Sequence, residues 1–343
     1  MPIRSLVLAG LVSMVVALGP VDVVASETIE VDCSSGDDLG AAIEAAPSAA
    51  SILIRGTCHG PILVDREIIL SAVDEGAMIH SVGAGATLAV VSTADERGSR
   101  TPLVEVRGLT ISGGDPAVHV DEGASLSLSD VTVRDSRGFG AVVQLRGELS
   151  LSAVSLSMNA AGGIENRGGR LRLVRSDISQ NGGHGIANHE QAQTRVTDSL
   201  LSDNDGRGVW NENSATELVD SRISGNGGGV YSDGRAYLDV SGSSIIDNAA
   251  VPSGSGVYLG APRVAIDGDV TIRKTDIARN SAAEEGGGLF MESGPRPVVL
   301  VDVLIADNRA ASGGGILNEG VPLVLERVTI VGNQPDDCIG CGA

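Results

Sequence analysis

Aromatic side chains are scarce in this chain: one Trp, three Tyr and two Phe in 343 residues. That excludes a globular core built around large rings, so whatever is buried must be aliphatic, small and repetitive. Basic charge is scarce too, with 24 Lys and Arg against 44 Asp and Glu and a formal net charge of −20. Such a surface repels polyanions, so neither nucleic acid nor an acidic membrane is an expected partner. Beyond residue 25 no apolar run is long enough to span a bilayer. The 47 glycines come without a G-X-Y period or a proline excess, which excludes collagen and low-complexity disorder.

The first residues do carry a signal-peptide layout: Arg4, an apolar run from Leu6 to Leu18, and Val23-Val24-Ala25 before Ser26. Residues 1–25 are read as a cleaved signal, with an uncleaved anchor as the alternative, and residues 26–343 as one domain without a transmembrane span. Removing Arg4 and Asp22 together leaves the charge at −20. The expected location is secreted, periplasmic or on a bacterial cell surface. Four cysteines follow: Cys33, Cys58, Cys338 and Cys341. An even count in an exported chain permits disulfides. Cys33 with Cys58 would bracket a compact unit, and Cys338-Ile-Gly-Cys341 reads as a terminal staple, since no second Cys or His pair stands at zinc-site spacing.

Self-similarity carries the fold. An I-x-x-N motif recurs at Asn159, Asn181, Asn204, Asn226, Asn248, Asn280, Asn308 and Asn333, at intervals of 22, 23, 22, 22, 32, 28 and 25 residues. Ser136 and Gly114 occupy the same column in two degenerate upstream periods. The positions ten, eight and three residues before the anchor are aliphatic, as in Leu171, Leu173 and Ile178, with Thr194 and Thr216 as the interruptions. Apolar residues two apart are strand alternation. After each anchor come glycines and another aliphatic residue, followed two positions later by Asn166, Asn188, Asn211 or Asn318 in four periods. A unit of ~22 residues cannot bury its own apolar face and must stack on its neighbours. Three short strands per period, each paired in parallel with its counterpart one coil away, make an all-β, single-stranded parallel β-helix, right-handed by the usual preference of parallel crossovers. The anchor asparagines are expected to tolerate a left-handed corner conformation and to form a hydrogen-bonded ladder.

The segments GGGVY, GGGLF and GGGIL, paired with ISGN, IARN and IADN, resemble the repeats of chlamydial polymorphic outer-membrane proteins and related bacterial right-handed β-helix proteins. The likeness covers about residues 103–333, with Ile or Leu where that family has phenylalanine, and it implies a passenger-like surface module. Residues 26–60 resemble the entrance of pectate-lyase-type β-helices, where a short helix plugs the bore. The residues agree: Asp37 or Asp38 can cap, Leu39, Ala42, Ile43 and Ala46 form a stripe, and Pro47 stops it.

Candidates for chemistry are few. Gly183-His184-Gly185 resembles one element of polygalacturonase sites, without the accompanying Asn-Thr-Asp or Arg-Ile-Lys elements; a surface corner is the plainer reading of His184. His189 lacks a metal partner at useful spacing. Six residues before six of the eight anchors stand Arg175, Asp198, Asp220, Lys274, Asp302 and Arg327; Asp198 and Asp220 would lie about one strand spacing, ~5 Å, apart, close enough for paired-carboxylate chemistry or calcium, or else part of an exposed charge ladder. Calcium is the one cofactor the acidity leaves open, although Ile266-Asp267-Gly268-Asp269 is too short for a calcium-binding nonapeptide. Trp210, Tyr231, Tyr258 and Phe290 each follow an inward aliphatic position by one residue and are expected to form an exposed strip for a glycan or a surface protein. Longer corners around 249–255, 260–268, 281–286 and 292–297 point to the same region. Adhesion or recognition is the leading functional expectation; an acidic-polysaccharide lyase, hydrolase or epimerase is the alternative, and a structural spacer the third.

Overall fold

A computed structural model describes residues 27–95, 98–100, 102–249, 251–260 and 270–342. The signal segment, most of the 260–268 corner and the 266–269 segment lie outside the described residues.

The chain winds into a right-handed parallel β-solenoid with three sheets. The first sheet stacks 13 strands from Thr28–Asp32 to Leu323–Glu326. The second and third have 12 strands each, from Thr57–His59 to Thr329–Val331 and from Ile62–Val64 to Cys338–Ile339. From Ala50 onward each of 12 coils contributes one strand to each sheet, paired in parallel with its neighbours, while Thr28–Asp32 adds a strand to the first sheet alone; a small antiparallel hairpin, Thr93–Asp95 with Gly98–Arg100, stands apart. Ile178, Leu201, Ile223, Ile245, Ile277, Ile305 and Ile330 are successive partners in the second sheet. Equivalent side chains therefore lie over one another along the bore, and aliphatic columns fill it without large rings. Stacked coils begin at Thr28, well upstream of the regular repeat.

The helix α1 (Leu39–Ala45) closes the N-terminal end. Asp38 is its N-cap, accepting from the Ala41 N–H at 3.2 Å, while Asp37 accepts instead from the Asp32 N–H at 2.8 Å. Leu39 and Ile43 face the bore. A disulfide joins Cys33 to Cys58 beside this cap, and a second joins Cys338 to Cys341.

The anchor asparagines are buried, and their side chains are chained together. From Asn181 through Asn333 each Oδ1 accepts both the backbone N–H and the Nδ2–H of the asparagine one coil before, at 2.9–3.2 Å, and the Asn159 Oδ1 accepts from the Ser136 N–H at 3.1 Å. The Asp337 carboxylate ends the chain by accepting from Asn333 Nδ2 at 2.9 Å. The left-handed conformation belongs to the preceding residue, as in Gln180 (φ 56), Asp203 (φ 54) and Asp247 (φ 57), which corrects the expectation that the asparagine itself adopts it. The turn is made outside, and the amide is thereby aimed inward.

Two further polar columns lie inside. Ser176, Ser199, Ser221 and Ser243 hold a second ladder, each Oγ accepting the N–H of the residue one coil earlier at 3.1–3.2 Å. Thr194 and Thr216, which interrupt the aliphatic pattern, accept from Asn166 and Asn188 at 3.2 and 3.0 Å. A buried hydroxyl with a partner is tolerated, so the bore accommodates them.

Candidate functional site

Third-sheet strands enter their corner with two consecutive inward positions, a glycine and then an aliphatic residue, as in Gly208 and Val209. A Cβ on Gly208 would lie 2.5 Å from Ile223 Cγ2 and 3.1 Å from Asn226 Nδ2, so the ladder leaves space for glycine alone. This step turns the residue before it outward, which brings His184 and Arg207 onto the same outer face as Trp210.

On that face the rings stack along the solenoid axis. The centroids are 5.0 Å apart for His184 and Trp210, 4.0 Å for Trp210 and Tyr231, 4.8 Å for Tyr231 and Tyr258, and 5.2 Å for Tyr258 and Phe290. Register explains it: Ala187, Trp210, Tyr231, Tyr258, Phe290 and Leu317 are successive partners. Phe139 lies further along, its ring over Gly162. Five of the six aromatic residues thus occupy one outer face, with Tyr237 on the first sheet.

An open strip is not what results. Trp210, Tyr231 and Tyr258 are half-buried, and Phe290 is only 4% exposed, which corrects its expected place in an exposed row. The corner before it packs close, with the Gly286 backbone against the Phe290 Cβ. Trp210, Tyr231 and Tyr258 each have a ring on both faces, so they offer edges and hydroxyls rather than flat platforms.

Arg207 locks this arrangement. Its guanidinium crosses Gly228, where any Cβ would press on the arginine chain at 3.0 Å, and donates to the carbonyls of Gly254 at 2.9 Å and Ser253 at 3.1 Å. It also lies 5.2 and 5.7 Å from the Tyr231 and Tyr258 ring centroids, a cation–π arrangement. Burial lowers its pKa to about 10, against the pull of the two phenols, and the group stays charged at neutral pH.

Beside the rings runs a polar row. Glu165 pairs with Arg167 at 2.7 Å, and His189 Nδ1 lies 3.5 Å from Glu212 Oε2. Tyr231 donates to Asp233 at 2.9 Å, and Tyr258 donates to Glu292. Burial first, and then these carboxylates, push both phenol pKa values up. Glu165, Arg167, His189, Glu212 and Arg235 line an open groove of about 840 Å³ next to Trp210.

His184 is unsuited to general-base work. Its Nδ1 accepts the Arg207 N–H at 2.9 Å, so the neutral ring carries its proton on Nε2. Burial, reinforced by Arg207 and His189, lowers its pKa to about 4, far from the value that serves a base at neutral pH. Asp198 and Asp220 stand exposed at left-handed corners (φ 48 each) between the first and second sheets, away from the aromatic face. In the same column Arg327 donates to Asp302 at 2.9 Å and holds that carboxyl below its ordinary range. No group of three His, Cys, Asp or Glu residues suited to a metal occurs among the described residues.

Residues 95–245 match the family model of the right handed beta helix region. No match was found among curated proteins. Similar solved structures include pectate lyase Pel9A, at 12% identity and a TM-score of 0.46 over 89% of this chain and 80% of that one. Another is a mannuronic acid specific polysaccharide family 6 lyase from human gut microbiota, at 9% and 0.43 over 89% and 86%. A third is the catalytic unit of a GH87 alpha-1,3-glucanase from Streptomyces thermodiastaticus, at 12% and 0.43 over 88% and 68%. At that distance these likenesses concern the fold alone.

Proposed function

We propose that this β-helix is an extracellular recognition module that holds a saccharide chain along the outer face of its third sheet, without catalysis. The concentration of five of six aromatic residues on one outer face carries the reading. Columns of aliphatic residues suffice to fill the bore, and the coil at Glu165 does without an outer ring, so the fold by itself does not call for this stack. A polar row of Arg167, His189, Glu212 and Asp233 runs alongside, able to donate to and accept from sugar hydroxyls. The two disulfides support an oxidising, extracellular setting. No helix among the described residues is long and apolar enough to cross a membrane.

A glycan array probed with the full chain, then with Trp210→Ala, Glu212→Gln and Tyr231→Phe, tests the proposal. Bound glycans should lose roughly tenfold or more in affinity with Trp210→Ala and Glu212→Gln, about 1.4 kcal/mol each, while circular dichroism stays that of a β-solenoid. Binding undiminished in all three variants would remove this face. Release of unsaturated or reducing ends from a bound polysaccharide would replace recognition by catalysis.

A further inference from the structure

The outer face of the first sheet carries a second, unrelated arrangement. Arg172 has Ser150 as its strand partner on one side and Arg195 on the other, so two guanidinium side chains rise from adjacent strands. Like charges placed directly opposite each other destabilise a sheet, and nearby pairs in this face avoid it: Arg170 donates to Glu148 at 2.9 Å and Arg195 to Glu217. Arg172 has no hydrogen-bonded or ion-paired partner among the described residues. The groove here, about 510 Å³, is lined by three arginines and two glutamates, which leaves one positive charge in excess on a chain whose net charge is −20.

Next to the arginines the face is recessed. Gln193, Ala215 and Tyr237 are successive partners, and the small Ala215 leaves a gap between the other two, whose strands lie two spacings, ~9.6 Å, apart. Tyr237 is the sixth aromatic residue and stands 36% exposed at the far edge. The recess is wide enough for one sugar ring, with an aromatic wall and a cationic corner.

We propose that this groove binds a saccharide unit bearing a single oxyanion, a carboxylate or a sulfate ester, with the anion between Arg172 and Arg195 and the sugar ring over Ala215 against Tyr237. Guanidinium forks match both anions in shape and donor geometry. Long polyanions remain disfavoured, because the acidic surface on either side of this one-charge excess repels the rest of the polymer.

Titration calorimetry on the full chain with a singly sulfated trisaccharide, a trisaccharide carrying one uronate and their uncharged parent decides it. At least one anionic ligand should bind about tenfold or more tightly than the parent, and the arm that binds identifies the anion. That preference should disappear in Arg172→Gln with Arg195→Gln, and affinity should fall severalfold in Tyr237→Ala. These side chains are exposed, so the variants should keep the wild-type unfolding midpoint, and Trp210→Ala should leave this binding unchanged, which separates the groove from the third-sheet reading. No preference for either anionic ligand, or a preference that survives the double arginine substitution, would overturn the proposal.

Discussion

Asn226→Ala is expected to lower unfolding free energy by about 3–5 kcal/mol, because one substitution strands several buried groups that each cost about 1–3 kcal/mol when unpaired. Asn226 Oδ1 accepts from the N–H and Nδ2 of Asn204 at 3.1 and 2.9 Å, and its Nδ2 donates to Asn248 Oδ1 at 3.0 Å and to the Leu201 carbonyl at 2.9 Å. Alanine removes all four. Asn226→Asp should be comparably harmful, since it keeps the acceptor but sets a carboxylate oxygen against Asn248 Oδ1. The urea midpoint reads the loss, and hydrogen exchange at the Asn204 amide should accelerate with it. A loss below about 1 kcal/mol would mean that the ladder contributes no more than an ordinary net hydrogen bond.

Arg207→Ala is expected to cost about 2–4 kcal/mol, from two carbonyls left without their donor and the loss of cation–π contact. It should also free the corner at 251–256, since Arg207 ties Ser253 and Gly254 to a coil 46–47 residues earlier in sequence. Limited proteolysis should then show a new cut in that corner. Arg207→Lys should recover less than half of the loss, because one ammonium cannot span both carbonyls and both rings. A wild-type cleavage pattern in Arg207→Ala would show that the corner is held by its own backbone contacts.

The β-helix was legible because stacking demands repetition: Ile178, Leu201 and Ile223 must recur at a fixed spacing if they are to share a column. The anchor asparagines were legible for the same reason. Their conformation was not, because an I-x-x-N motif does not say whether the asparagine or its neighbour makes the turn; the left-handed residues are as varied as Met158, Gln180, Asp203 and Arg279. The serine ladder has its own sequence signal in Ser176, Ser199, Ser221 and Ser243, each five residues before an anchor. Thr194 and Thr216 break the aliphatic pattern, and only the folded chain brings Asn166 and Asn188 to them as hydrogen-bond partners.

For the candidate site, alternation placed Trp210, Tyr231, Tyr258 and Phe290 in one column. It could not bring in His184, because the two consecutive inward positions at the corner break the period of two. Nor could it foresee that Arg207 crosses the space left by Gly228, or that Phe290 is buried while Tyr258 stays half-buried. Those features depend on where loops of unequal length lie, and a column of residue types does not encode that.

The sole tryptophan allows the stacked column to be tested in solution. An imidazolium accepts an electron from an excited indole, so protonation of His184, 5.0 Å from Trp210, should quench its fluorescence. His184 titrates at about 4 in the folded chain against an ordinary 6.5, so the stability of its neutral ring is fully present above pH 6.5 and is lost as pH falls through about 4. A fluorescence titration of the native protein is predicted to show quenching centred near pH 4 that is absent in His184→Gln. A transition near pH 6.5, or one that persists unchanged in His184→Gln, would contradict the stacking of these residues on one face.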